Sequence, residues 1–201
     1  MPSKKYHHGD LKNALIQAGI EILSREGVAG LSLRKVALRA KVSHSAPYAH
    51  FSDKQSLIAA ISTEGFNQLY AELSAAIGER ASSPEKKLFA AIKAYVTFAL
   101  TRTDTFKIMF SGVIEKEKEY PAFVEVSQRT FRLVVDVVRE CQRSGLLPAG
   151  QTELVAVSIW GQIHGIVSLA LEGQIPHTVI DKRDVQSIVD FALGQLMALK
   201  G

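Results

Sequence analysis

Cysteine is nearly missing from this chain of 201 residues: Cys141 stands alone. A single thiol closes no disulfide within the chain and builds no cysteine metal cluster, a usage that fits a reducing, cytoplasmic setting. Cys141 sits in an apolar helical pattern and is expected to be inert core. The N-terminus lacks the continuous apolar stretch of a signal peptide. There is no carboxylate pair, metal-ligand spacing or nucleophile–base motif, so neither an enzyme nor a metal site nor a bound cofactor is expected. His7-His8 without further ligands does not amount to a metal site. Strand hairpins, repeats and low-complexity tracts are also lacking. Only residues 154–171 form a long uncharged run, barely enough to span a bilayer. It contains Ser158, Gln162, His164, Ser168 and two glycines, and Glu153 and Glu172 flank it rather than Lys or Arg. The expectation is a fully buried helix of a soluble protein and no membrane partner.

What is present is helical periodicity and an uneven charge. The chain is 47% hydrophobic, and at this size it should bury roughly 70% of its unfolded surface. Its net charge is +4, with the whole positive excess within residues 1–54. A cationic end of this kind suits nucleic acid. Apolar stripes at three- and four-residue spacing predict about nine helices in an all-α fold. The first runs from about Asp10 to Arg25 with Gly27 as its stop, and a fourth begins at a Ser52/Gln55 capping box and runs to about Glu79. Ser83 and Pro84 open a fifth, which runs to about Thr101, and Asp104 starts a short sixth. Pro121 opens a seventh, Thr152 caps an eighth, and a ninth spans about 182–199.

Residues 32–51, SLRKVALRAKVSHSAPYAHF, predict two short helices joined by a tight turn. Ser32 caps the first, Leu33, Val36 and Ala37 form its apolar face, 40–42 is the turn, and Ser43 caps the second. Such a pair is a helix-turn-helix, whose second helix lies in the DNA major groove. Its N-terminal face presents His44, Ser45 and Ala46 to base edges. Ser32, Arg34 and Ser43 are placed for backbone phosphates, and His50 is divided between phosphate contact and packing. Residues 1–8, with Lys4 and Lys5, form a polar arm able to reach phosphate or the minor groove; Phe51 is core.

Val42-Ser43, Tyr48, His50-Phe51, Lys54 and Leu57, together with the long first helix and the Gly30-Leu31-Ser32 lead-in, resemble the TetR family of bacterial repressors over roughly residues 9–69. The resemblance implies a three-helix DNA-binding domain over 9–55, phosphate contacts at Tyr48 and Lys54, and a C-terminal helical bundle over 56–201. The chain departs from the family pattern at Lys41, where glycine is usual and a left-handed backbone is expected, and at Pro47, which replaces an aliphatic residue. Trp160-Gly161-Gln162-Ile163-His164-Gly165 and Tyr6-His7-His8-Gly9-Asp10-Leu11 resemble a tryptophan–histidine–glycine subclass of the same family.

The resemblance implies a small-molecule effector and release of operator DNA. Tyr95, Phe98, Phe106, Met109, Phe110, Trp160 and His164 are the candidates for lining its pocket, against the alternative that they are core. Two half-sites require a dimer. Ile159, Gly161, Gly165 and Ile166 on the eighth helix, with Val185, Ile188, Val189, Ala192 and Leu196 on the ninth, are the candidate interface. The leading expectation is a dimeric, ligand-responsive repressor of double-stranded DNA. The alternatives are an effector-independent architectural DNA binder and a small helical enzyme acting on an apolar ligand.

Overall fold

The computed structural model describes residues 8–80, 82–114 and 116–198. Nine α-helices are found among them: α1 His8–Gly30, α2 Leu33–Arg39, α3 Lys54–Arg80, α4 Pro84–Thr101, α5 Thr103–Met109, α6 Pro121–Arg143, α7 Thr152–Leu171, α8 His177–Ile180 and α9 Val185–Ala198. Two 3-10 turns, Ala46–Ala49 and Glu117–Glu119, complete the regular structure, and no strand occurs among the described residues. The all-α expectation is met. The chain divides into two compact units: residues up to Asn67 with Asp104–Ser127, and Gln68–Thr103 with the chain from Gln128 on.

In the first unit, Leu15, Ala18 and Ile22 of α1 pack inward with Val36 and Ala37 of α2 and Leu57 and Ile61 of α3. Helix approach here depends on two missing side chains. A Cβ on Gly19 would stand 2.9 Å from Ile61 Cδ1, and one on Gly65 would stand 2.5 Å from Met109 Sδ and 2.8 Å from Thr105 Cγ2. Gly27, at φ 65°, interrupts α1 as expected of the stop, and one further turn follows it. Phe66 sits edge-on to Phe110 and to Phe123, with ring centroids 5.4 and 5.8 Å apart.

In the second unit α7 packs on α4 and α9, and α4 also meets α9. Ser83 caps α4, accepting from the Lys86 N–H at 3.3 Å, and Pro84 follows as its first residue. Leu88, Ile92, Tyr95, Val96 and Ala99 are buried as the α4 stripe predicts. Lys87 pairs with Glu140 of α6 at 2.7 Å. Cys141 is core: its thiol donates to the Pro84 carbonyl at 3.3 Å, and burial pushes its pKa up to about 11.

Three local expectations are corrected. The capping box of α3 is Asp53/Ser56, one residue later than Ser52/Gln55: Ser56 N–H donates to Asp53 Oδ1 at 2.7 Å and Asp53 N–H to Ser56 Oγ at 3.2 Å. A carboxylate is a strong acceptor for a helix N-terminus. Thr152 does not cap α7; its hydroxyl donates to Gln142 Oε1 at 2.8 Å. Nor is α7 buried throughout. Ala156, Ile159, Ile163 and Val167 face inward, while Leu154, Val157 and Leu169 are exposed. By length and composition alone α7 would cross a membrane, yet its buried face belongs to the bundle.

Alanine is the better helix former than glycine by about 1 kcal/mol, but overpacking costs about 1–3 kcal/mol. Met109 is buried, so the steric term wins. Gly65→Ala is expected to destabilise the protein by about 1–2 kcal/mol, read as a lowered Tm in far-UV circular dichroism. A Tm at or above the parent's would mean that Met109 gives way freely.

Candidate functional site

The helix-turn-helix is built as its sequence requires up to the turn. The Lys35 N–H donates to Ser32 Oγ at 3.2 Å, so the expected N-cap of α2 is present. At its other end Lys41 adopts φ 57°. This is the left-handed turn expected there, held by Lys41 N–H to the Leu38 carbonyl at 3.2 Å and Val42 N–H to the Ala37 carbonyl at 3.0 Å. Two such bonds close the last carbonyls of a helix. A left-handed conformation costs a non-glycine residue about 1–2 kcal/mol.

Past the turn the structure departs from expectation. Ser43 does not cap a helix over 43–51; its hydroxyl lies 3.2 Å from Ser45 Oγ, and only Ala46–Ala49 is helical, as 3-10. Pro47 is the reason. It has no N–H to give the Ser43 carbonyl, which takes a bond from Ala46 N–H instead at 3.0 Å. Ser43, His44 and Ser45 therefore stand exposed on an irregular turn, with Ala46 half-buried behind them. Pro47 itself is buried and Tyr48 is 61% exposed. His50 is half-buried, its ring 6.2 Å from that of Phe51, which is core as expected.

The cations of this segment fall into two groups. Lys35 pairs with Glu26, Arg39 with Glu21, and the Lys54 ammonium donates to the Val28 carbonyl. Arg34 is exposed and has no partner among the described residues. Lys54 thus closes the end of α1, a structural role beside the phosphate contact that resemblance implies. Lys5 lies outside the described residues.

The expected pocket residues do not form one group. Tyr95, Trp160 and His164 come together in the second unit. Trp160 Nε1–H donates to Tyr95 Oη at 3.1 Å, and Tyr95 Oη lies 2.7 Å from His164 Nδ1. Tyr95 is buried, which raises its pKa far above the usual phenol value and keeps the hydroxyl protonated. Tyr95 Oη thus accepts from the indole and shares a hydrogen bond with His164 Nδ1, whose donor is set by the imidazole tautomer. Phe98 is fully buried under the Arg102 guanidinium, 5.8 Å from its ring centroid. Phe106, Met109 and Phe110 belong to the first unit, where they are packed side chains: the Phe106 and Phe110 rings lie 4.9 Å apart.

Beside Tyr95 and Trp160 lies a wholly apolar cavity of about 50 Å³. Leu73, Leu88, Ala91, Ile92, Val134, Val137, Ile159 and Ile163 complete its wall. Reasoning from aromatics missed these aliphatic residues, although Leu88, Ala91 and Ile92 share the α4 stripe of Tyr95. Two of the expected interface residues, Ile159 and Val189, are packed within the subunit at 2% and 0% exposure. Gly161, Gly165, Ile166, Val185, Ile188, Ala192 and Leu196 keep accessible surface, as do Leu154 and Phe191.

The family description "Bacterial regulatory proteins, tetR family" matches residues 15–61, and "Tetracyclin repressor-like, C-terminal domain" matches 88–196. The second match covers the C-terminal domain as a whole and does not single out the tryptophan–histidine–glycine subclass. No curated protein matches the chain. A solved Rhodococcus sp. RHA1 protein of unknown function is 32% identical, with 98% of each chain covered and a TM-score of 0.79. A bacterial regulatory protein in the tetR family, from Rhodococcus RHA1, is 20% identical over 100% of this chain and 98% of its own, with a TM-score of 0.73. The transcriptional regulator FadR from Bacillus subtilis, solved in complex with stearoyl-CoA, is 18% identical over 92% and 97%, with a TM-score of 0.74.

Burial lowers the His164 pKa from its ordinary 6.5. The unfolded chain then binds the proton that the folded ring refuses, and stability rises with pH wherever this holds. The contribution is full above pH 6.5 and is lost as pH falls below it through the folded value. His164→Gln, which offers Tyr95 an acceptor that does not titrate, is expected to flatten Tm against pH in that window. An unchanged slope would assign the dependence to other groups.

Proposed function

The chain belongs to the TetR family of bacterial regulatory proteins, helix-turn-helix regulators of transcription, and on that premise we propose that it is a homodimeric repressor released from operator DNA by an apolar effector. The observation that carries the reading is the exposed Ser43–Ser45 turn, mounted on a buried helix-turn-helix core at the cationic end of the chain. His44, Ser45 and Ala46 read bases. Lys5, Ser32, Arg34, Ser43, Tyr48, His50 and Lys54 hold phosphates and set the register. Residues 9–55 form the DNA-reading domain, residues 1–8 its arm, and 56–201 the effector and dimer domain. The protein works in the cytoplasm and turns over no substrate.

The outer faces of α7 and α9 support dimerisation. Leu154 and Phe191 are 63% and 66% exposed, and large apolar groups in such numbers mark an interaction surface. Gly161 and Gly165 let a second copy's helix approach, with Ile166, Val185, Ile188, Ala192 and Leu196 around them. Effector release follows from the cavity. Its volume of about 50 Å³ is well under the roughly 150 Å³ of an engineered cavity that binds benzene. A ligand seated by Tyr95, Trp160 and His164 must therefore spread the bundle, and so favours a shape other than this one. α3 has residues in both compact units, which makes it the element through which that change reaches the DNA-reading segment. Acyl compounds are the first to test, since the similarly folded FadR of Bacillus subtilis was solved with stearoyl-CoA. The small volume of the cavity is also what favours the second reading, a DNA binder with no effector.

The purified protein is expected to bind the DNA upstream of its own coding sequence more tightly than a scrambled duplex of equal length, and to release it on addition of effector. Equal, strongly salt-dependent binding to both duplexes would favour the architectural reading. At the dimer face, a Cβ on Gly161 meets nothing within 4 Å in the subunit. Gly161→Leu is expected to leave the subunit folded while raising the dimer dissociation constant at least about tenfold in analytical ultracentrifugation. An unaltered dimer would remove this face from the interface.

A further inference from the structure

Lys41 is the only non-glycine residue with positive φ among the described residues. Glycine takes this conformation without steric cost. The strain cannot relax locally, because the bonds from Lys41 N–H to Leu38 and from Val42 N–H to Ala37 close α2 only in this geometry. A lysine therefore occupies a position where its side chain adds strain and, within the protein, gains nothing. That side chain is exposed and makes no hydrogen bond or ion pair among the described residues. Its neighbours differ: Lys35, Arg39 and Lys54 are each engaged by Glu26, Glu21 and the Val28 carbonyl. Of the five lysines and arginines over 31–54, only Arg34 and Lys41 have no side-chain partner among the described residues.

Position gives the spare charge a use. Lys41 stands two residues before the exposed Ser43–Ser45 turn, and it is the rigid left-handed turn that joins α2 to it. We propose that Lys41 is a phosphate contact of the DNA-bound protein, its ammonium taking backbone charge that the carboxylate-paired Lys35 and Arg39 leave uncovered. Because the turn allows one backbone geometry, the charge is presented with less freedom than on a flexible loop. This rests on the DNA-binding reading of the segment. It adds a residue to that surface that no base-reading or capping argument selects.

Lys41→Gly, Lys41→Asn and Lys41→Arg test it against two labelled duplexes, the upstream DNA and its scrambled counterpart, across a series of salt concentrations. Glycine removes both strain and charge; asparagine tolerates the left-handed region and removes only charge. Lys41→Gly is expected to raise Tm yet weaken binding to both duplexes by about three- to tenfold. It should also flatten log affinity against log salt by nearly 2 for a dimer, about 0.9 per phosphate released. Lys41→Asn should lose the same affinity, and Lys41→Arg should keep the parent's affinity and slope. Parent-like affinity and slope in Lys41→Gly and Lys41→Asn would overturn the inference while leaving the DNA-binding reading intact. A parent protein that binds neither duplex at low salt would overturn both.

Discussion

Ile61 stands so close to α1 that a Cβ on Gly19 would meet it at 2.9 Å, and the DNA-reading unit depends on that approach. With no side chain at Gly19, Leu57 and Ile61 pack down to the α1 backbone and are fully buried. One turn further along α3, Gly65 does the same toward Met109 and Thr105. Three helices held at backbone distance leave little slack, and tight packing transmits small displacements rather than absorbing them. A short α2 and a brief 3-10 turn, neither stable alone, are thereby held in one place. The reading segment is consequently free to be irregular: Ser43–Ser45 need not be helical to be well positioned.

In the second unit, Tyr95, Trp160 and His164 form a polar trio beside the apolar cavity. Trp160, Tyr95 and His164 satisfy one another in a chain of bonds at the edge of a cavity with no polar lining. Burial raises the Tyr95 pKa and lowers that of His164, so both side chains are biased toward their neutral forms. An unpaired buried donor or acceptor would cost about 1–3 kcal/mol. A ligand entering here must replace any bond it breaks with one of its own. On the same helix the outer face is apolar and uncovered, so α7 links the interior of the subunit to the surface proposed for the dimer.

Sequence pattern went furthest where a rule acts over a few residues. The Ser83–Pro84 start of α4 and the Ser32 cap each follow from one side chain and its neighbours, whereas the left-handed backbone at Lys41 was implied only by the family resemblance. The same locality explains the near misses. Ser52/Gln55 and Asp53/Ser56 offer overlapping caps one residue apart, and the structure takes the carboxylate. Pro47 could stand in the first turn of a helix or prevent one. The answer turned on whether the Ser43 carbonyl had another donor, and Ala46 supplied it.

Composition, periodicity and turn chemistry by themselves determined an all-α chain, its helix order and the cationic helix-turn-helix, because each is a short-range consequence of residue type. Which aromatic residues meet was decided only by the tertiary structure. Tyr95 on α4 is more than sixty positions from Trp160 and His164 on α7 yet hydrogen-bonds with both, whereas Phe106 and Phe110, equally aromatic, pack in the other unit. A helical stripe says that a side chain is buried but not against what. For the same reason α7, apolar all round, could not be resolved into an inner face at Ile159 and an outer one at Leu154 until its neighbours α4 and α9 were in place.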